Sequence, residues 1–308
     1  MLIIAAAFSQ NFPLTFPPKC YILQLMTTLR HIRNNIISAT AAFTLAAATC
    51  GKALADETLL YVNINNVPTS EMNNGIPAST GLTCTWNDWG FPTVTTPESI
   101  GFPKRTTNVN EKMIRFRDSS AWNRLYPTAA PNATKWNLNG QRLSFWGYAK
   151  WEPVIMTEEA FGVVLRAPYS KTPNSSWTRQ GYFCFFGSKG SYWTPKSGRF
   201  YPRERTPFIM RANADSTWDF IARNEGYAID PKDGWHLYSA QMVNNTITMS
   251  VDGVVVLEAT DSSSARYQTG FPMLFVYWDD QTNKDAAGNW TAMGYEEIKF
   301  EKVDATLL

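Results

Sequence analysis

Apolar and polar residues alternate with a period of two along most of the chain after residue 56. The clearest stretch holds three runs, Trp235–Val243, Thr246–Val251 and Val254–Ala259. Asn244-Asn245 and Asp252-Gly253 separate them, and both dipeptides tolerate the positive φ of tight hairpin turns. Three consecutive antiparallel strands are therefore expected there. Further strand-like runs are Thr58–Asn63, Lys112–Arg117, Arg142–Trp151, Ala160–Ala167, Gly181–Phe186, Thr206–Asn213, Thr217–Asn224, Met273–Trp278 and Tyr295–Lys302. Gly, Pro, Asn and Ser punctuate them, as in a β-sandwich. Glu297–Val303 is expected as a closing strand with one face apolar and one charged, alternating strictly over Glu297–Phe300. Helical spacing is nearly absent. Short helical turns are expected near Ser119–Leu125, with Asp118 as a cap, and near Ser262–Tyr267. Pro68–Asn110 shows little periodicity, and a loop that long usually wraps the core or carries a function.

The first 55 residues differ in kind. Arg30 and Arg33 precede an apolar, small-residue run from Ile36 to Ala48, and Ala53-Leu54-Ala55 fits a small-x-small cleavage site. This reads as a secretory leader that starts at Met26, is cleaved after Ala55, and is too short to span a membrane. Lipidation at Cys50 is the lesser alternative, because Thr49 suits it poorly. The domain expected is one unit, residues 56–308. The whole chain has 28 basic and 26 acidic residues. The leader holds Lys19, Arg30, Arg33 and Lys52 and no acid, so 28 − 4 = 24 basic residues remain against 26 acidic, a net of −2. Such a balance does not suit nucleic-acid binding. Of the four cysteines only Cys84 and Cys184 lie beyond the leader, and export would permit a disulfide or a buried thiol. His236 is the one histidine there, which argues against zinc and against His-based nucleophilic machinery built on any other residue.

The run Trp235-His236-Leu237-Tyr238, followed by a strand ending Val251-Asp252-Gly253, resembles the concanavalin A-like and laminin-G-like jelly-roll domains. The resemblance covers roughly Trp235–Ala259. It implies an all-β, antiparallel jelly-roll β-sandwich with first and last strands side by side in one sheet. It gives no activity, since such folds serve lectins, adhesion modules, glycoside hydrolases and polysaccharide lyases alike.

The segment Gly187–Arg211 is the leading candidate for binding. Lys189, Lys196, Arg199, Arg203, Arg205 and Arg211 face a single acid, Glu204, with Tyr192, Trp193, Phe200 and Tyr201 interleaved. Sugar rings stack their C–H faces on aromatics, and arginine forks pair with uronate or sulfate. Tyr277 and Trp278 join this set as candidate contacts. A solvated loop with its aromatics packed on the core is the plainer reading of any one residue. Asp279, Asp280, Asn283 and Asp285 are candidate oxygen ligands for calcium, although an Asx-rich turn accounts for them equally well. Tyr182, Tyr192 and His236 are the candidate proton-transfer residues. His236 has the suitable unperturbed pKa, but a structural place at the head of its strand is favoured.

Paired carboxylates at alternating positions, the mark of many jelly-roll glucanases, are missing; Glu158-Glu159 and Glu296-Glu297 are adjacent and would face opposite ways. Gly181–Phe185 bears a faint resemblance to the tyrosine strand of jelly-roll alginate lyases, whose Gln-x-His and arginine-led strands are not found here. The expectation is an exported glycan-binding protein, suited to acidic polysaccharide, with no required cofactor and calcium as an option. A polysaccharide-cleaving enzyme, a lyase before a hydrolase, stands second, and a laminin-G-like adhesion module third.

Overall fold

A computed structural model describes residues 56–67, 78–85, 92–116, 119–130, 133–149, 159–168, 180–189, 192–194, 198–200, 206–215, 217–227, 234–278 and 293–304. The strands are β1 (Glu57–Val62), β2 (Leu82–Thr85), β3 (Pro92–Thr95), β4 (Met113–Phe116), β5 (Ser119–Pro127), β6 (Gln141–Ala149), β7 (Glu159–Ala167), β8 (Gly181–Lys189), β9 (Tyr192–Thr194), β10 (Gly198–Phe200), β11 (Phe208–Ala212), β12 (Trp218–Arg223), β13 (His236–Val243), β14 (Thr246–Val251), β15 (Val254–Thr260), β16 (Phe271–Trp278) and β17 (Met293–Lys302). Asn244 (φ 55°), Asp252 (φ 52°) and Gly253 (φ 79°) turn the chain at the two predicted hairpins. Asp252 and Gly253 in sequence meet the need of a tight primed turn for two left-handed residues.

Two antiparallel sheets form the sandwich. Sheet A runs β15-β14-β13-β6-β17-β4-β3, and β1 also pairs with β17. Sheet B runs β12-β11-β8-β7-β16-β5-β2, and β9 and β10 form a separate hairpin. The first and last strands pair as expected, with Val62 opposite Ile298 and Glu57 opposite Lys302. The architecture is the antiparallel jelly-roll β-sandwich expected.

Aromatic rings fill the space between the sheets. Tyr238 lies 5.4 Å from Phe145, 5.1 Å from Phe161 and 5.1 Å from Phe186. These rings are fully buried, and burying each contributes roughly 1.5–3 kcal/mol. Gly147 faces this cluster because a Cβ there would stand 3.0 Å from the Phe145 and Tyr238 rings.

Two expectations fail. Ser119–Leu125 is no helical turn but most of β5, paired with β16 on one side and β2 on the other. Sheet pairing on both edges overrides the local cap signal of Asp118, since propensity is only a weak prior. Ser262–Tyr267 holds no helix either; Asp261 accepts the Ser263 amide (2.9 Å) and closes an Asx-type turn. Within Pro68–Asn110 lie β2, β3 and short 3-10 turns at Ala78–Thr80 and Pro97–Ile100. Cys184 is a free, fully buried thiol, and burial pushes its pKa upward. The leader and its features lie outside the described residues. Among those described, no helix is long and apolar enough to cross a membrane.

Candidate functional site

The register of sheet B collects predicted site residues at one end of the sandwich, where β8 and β16 finish and β5 and β7 begin. Lys189 stands opposite Glu159, Glu159 opposite Trp278, and Trp278 opposite Ser119. One step inward, Tyr277 stands opposite Ala160 and Trp122. Lys189, Tyr277 and Trp278, distant in sequence, thus meet on nearby strands. The hairpin follows directly from β8, with Tyr192 opposite Phe200 and Trp193 opposite Arg199. β9 lies beside β12, the edge strand of sheet B.

Below this rim a row of residues crosses five strands and the edge on the face of sheet B turned away from sheet A. Arg124 pairs with Phe275, Phe275 with Gly162, Gly162 with Phe185, Phe185 with Phe208, and Phe208 with Arg223. Directly opposed residues share a face. Phe185 stacks on Phe208 at 4.2 Å and meets Phe275 edge-on at 5.0 Å. Those two rings reach each other across Gly162. A Cβ at Gly162 would strike the Cys184 carbonyl and come within 2.9 Å of the Phe275 ring. Phe183, two residues before Phe185, adds contacts to Phe275 (5.2 Å) and Trp218 (4.8 Å). The Arg124 guanidinium lies 6.0 Å from the Phe183 ring centre, within cation–π range. At the other end Arg223 is exposed and pairs with Glu225 at 2.9 Å. Phe183, Phe185, Phe208 and Phe275 are fully buried. Within the row itself the ionisable side chains are Arg124 and Arg223, so it offers a rigid packed floor rather than acid–base chemistry.

Tyr182 and Arg211 lie elsewhere. They face each other across β8 and β11 at the opposite end of the strands; seven residues of strand put Tyr182 about 23 Å from Lys189. The Tyr182 hydroxyl donates to Asp261 Oδ2 (2.7 Å). Arg211 donates to Asp261 through Nη1, to Asp219 through Nη2 (2.6 Å) and to Asn213 through Nε (3.0 Å). Burial, then the Asp261 hydrogen bond, raise the Tyr182 pKa well above its ordinary value. A phenol held protonated and fully buried is a structural donor, and Arg211 is neutralised by two carboxylates. The basic segment Gly187–Arg211 therefore does not form one surface: its last arginine belongs to a buried network.

His236 begins β13 and ties down the next turn. Its Nδ1 is 2.7 Å from Asp252 Oδ2, and Asp252 Oδ1 accepts the Leu237 amide (2.8 Å). The imidazole thus holds the Asp252–Gly253 turn against the strand head, while its Nε2 is buried without a partner. Tyr201, Arg203 and Arg205, and the calcium candidates Asp279, Asp280, Asn283 and Asp285, lie outside the described residues. Among the described residues no group of three His, Cys, Asp or Glu side chains is disposed to hold a metal.

Sequence reasoning missed Arg124, Phe208, Phe275 and Gly162. Reading β5 as a helical turn hid Arg124. The period-two spacing of Trp122, Arg124 and Tyr126 was the available signal.

No family model matches the chain, and no curated protein matches it. Several solved structures are similar to it at low identity. The Ca2+-bound exoplasmic/lumenal domain of VIP36 is 10% identical over 80% of this chain and 90% of its own, with a TM-score of 0.46. Domain 4 of AbnA, an extracellular arabinanase of Geobacillus stearothermophilus solved with arabinotriose, is 11% identical over 80% and 93%, with a TM-score of 0.41. The carbohydrate-binding module CBM66 of Bacillus subtilis is 11% identical over 72% and 96%, with a TM-score of 0.39.

Proposed function

We propose that this chain is an exported glycan-binding protein, and that its binding surface is the rim of sheet B where β8, β16 and the β9–β10 hairpin meet. The observation that carries the reading is the cross-strand register that brings Lys189, Tyr277 and Trp278 to one end of sheet B, next to a hairpin bearing Tyr192, Trp193 and Arg199. Aromatic rings and cations at one rim suit a sugar chain that carries carboxylates: rings take the C–H faces, and cations take the acids. The buried row from Arg124 to Arg223 supports the reading by giving that rim a rigid floor, as a binding site on a scaffold requires. Tyr201, Arg203 and Arg205 extend the same basic stretch. Calcium at Asp279, Asp280, Asn283 and Asp285, directly after Trp278, would steady the same rim.

The test is binding of the exported chain to a panel of neutral and uronic-acid polysaccharides, by affinity electrophoresis and calorimetry. One uronate polymer is expected to bind. Trp278→Ala or Trp193→Ala should weaken it by up to about ten-fold, at roughly 0.5–1.5 kcal/mol per stacked ring lost. Lys189→Ala should weaken it less and flatten its salt dependence. Binding that survives all three changes would sink the site. Unsaturated products in the same incubation would replace binding with lyase cleavage, with Tyr192 as the first tyrosine to change. Chelation that halts binding would establish the calcium reading. Amino-terminal sequencing of the exported protein should begin at Asp56.

A further inference from the structure

The outer face of sheet A holds a cluster that the proposed glycan rim does not use. We propose that Glu111 and Glu296 share one proton, and that this proton clasps the 96–112 segment onto sheet A and lets it go as the pH rises.

Both carboxyls are buried, Glu111 at 0% and Glu296 at 1% exposure. Glu111 accepts the Arg105 amide (2.9 Å) and the Thr106 amide (3.1 Å), which folds the segment around it. Glu296 Oε2 accepts from Arg105 Nε at 2.8 Å. The other branch of the same guanidinium reaches Glu297, and its carbon lies 5.0 Å over the Trp146 ring. The guanidinium thus serves two carboxyls, while the backbone amide of the same residue binds the third. Glu296 Oε1 is buried and has no donor, yet it belongs to a side chain in hydrogen-bonding contact with Glu111. Two ionised carboxylates cannot bond each other. With a proton on Glu296, Oε1 becomes a donor to Glu111 and no buried oxygen is orphaned.

The surroundings agree. Burial first, then the neighbouring Glu111 charge, push the Glu296 carboxyl up to about 8 against the opposing pull of Arg105. From β17, Glu297 sits at a left-handed φ of 45° beside the break in register between β17 and β6. From β1, the Tyr61 hydroxyl contacts Glu297. Lys112 bonds the Val67 carbonyl with its ammonium. Lys299 and Arg142 are engaged with Glu301. Ionising Glu296 would set a second buried carboxylate against Glu111, with the part-exposed Glu297 beside them, and unbalanced buried charge is costly. The segment also covers apolar surface: Phe102 packs on Tyr148 at 4.6 Å, and the Trp235 indole donates to Pro103 O (2.8 Å). Opening would expose Phe102 and Met113 and uncover Trp146.

The experiment uses the full chain. A carboxyl-carbon NMR titration of Glu296 is run beside amide hydrogen exchange of 96–112 from pH 6 to 9.5, corrected for the intrinsic rate. Glu296 should titrate near 8. The opening constant of the segment should rise about ten-fold per pH unit below that point, as release of one proton on opening requires, and level off above it. Glu296→Gln keeps an N–H donor toward Glu111 and cannot ionise, so its exchange should stay flat. A Glu296 midpoint in the ordinary carboxylate range would overturn the proposal. So would an equal rise with pH up to that point in the glutamine variant. Should that variant not fold, the titration of the unaltered chain decides alone.

Discussion

Sheet A and sheet B share a core but treat their outer faces in opposite ways. On sheet A, Ser144, Ser239 and Ser250 stand in one cross-strand row, half-exposed, with Gln241, Thr248 and Arg142 beside them. On sheet B the equivalent face carries Phe275, Phe185 and Phe208, all fully buried. Along this row sheet A therefore hides a single face, whereas sheet B hides both. Away from the 96–112 segment, side chains on the outer face of sheet A answer mainly to water and to each other. Those of sheet B are packed as tightly as the core, and each depends on its neighbour's shape.

Substitutions can break that contrast, beginning with the largest effect. Gly162→Ala drives a methyl group into the Cys184 carbonyl, which is backbone and cannot rotate away. A loss above about 4 kcal/mol, or no folded protein, is expected. Phe185→Ala removes a ring stacked on Phe208 and should cost roughly 3–5 kcal/mol in denaturant unfolding. Arg211→Met leaves Asp261 and Asp219 without their buried cation and should cost about 3 kcal/mol or more. Ser239→Ala on the outer face of sheet A should stay within about 0.5 kcal/mol. If Ser239→Ala proves as costly as Phe185→Ala, the two faces are not different in kind.

Acidity sharpens the same comparison from the side of sheet A. Glu296 has a folded pKa near 8 against an ordinary value of 4.5. Its protonated form is the one the fold favours. The stability it contributes is complete below about pH 4.5 and is lost as the pH rises toward 8. Urea midpoints of the unaltered chain should therefore fall across that window more steeply than those of Glu296→Gln. A window of equal slope in both proteins would mean that other groups carry the pH dependence.

Much of the frame was legible residue by residue. Asn244-Asn245 and Asp252-Gly253 announced their turns because few residues tolerate positive φ. The alternation of Glu297–Phe300 announced a strand, and β17 is that strand, although Glu301 further along it is buried. Tyr182-Phe183-Cys184-Phe185-Phe186 could not be divided into faces in the same way. A run apolar at every position reads alike whether one face or both are covered. The candidate site was legible as composition, a cluster of cations and aromatics. Its membership was not: Arg211 looked like Lys189, yet it lies at the far end of its strand, tied to Asp261.

Alternation, turn dipeptides and matching terminal strands by themselves determined an antiparallel sandwich, because they act through local backbone geometry and the period of the pleat. Tertiary structure alone decided which residues meet. Register set Arg124 beside Phe275 and Trp278 beside Glu159, and burial turned Tyr182 into a structural donor and brought Glu296 against Glu111. Those outcomes depend on partners many residues away, and on the loss of water around them, which no local stretch of sequence contains.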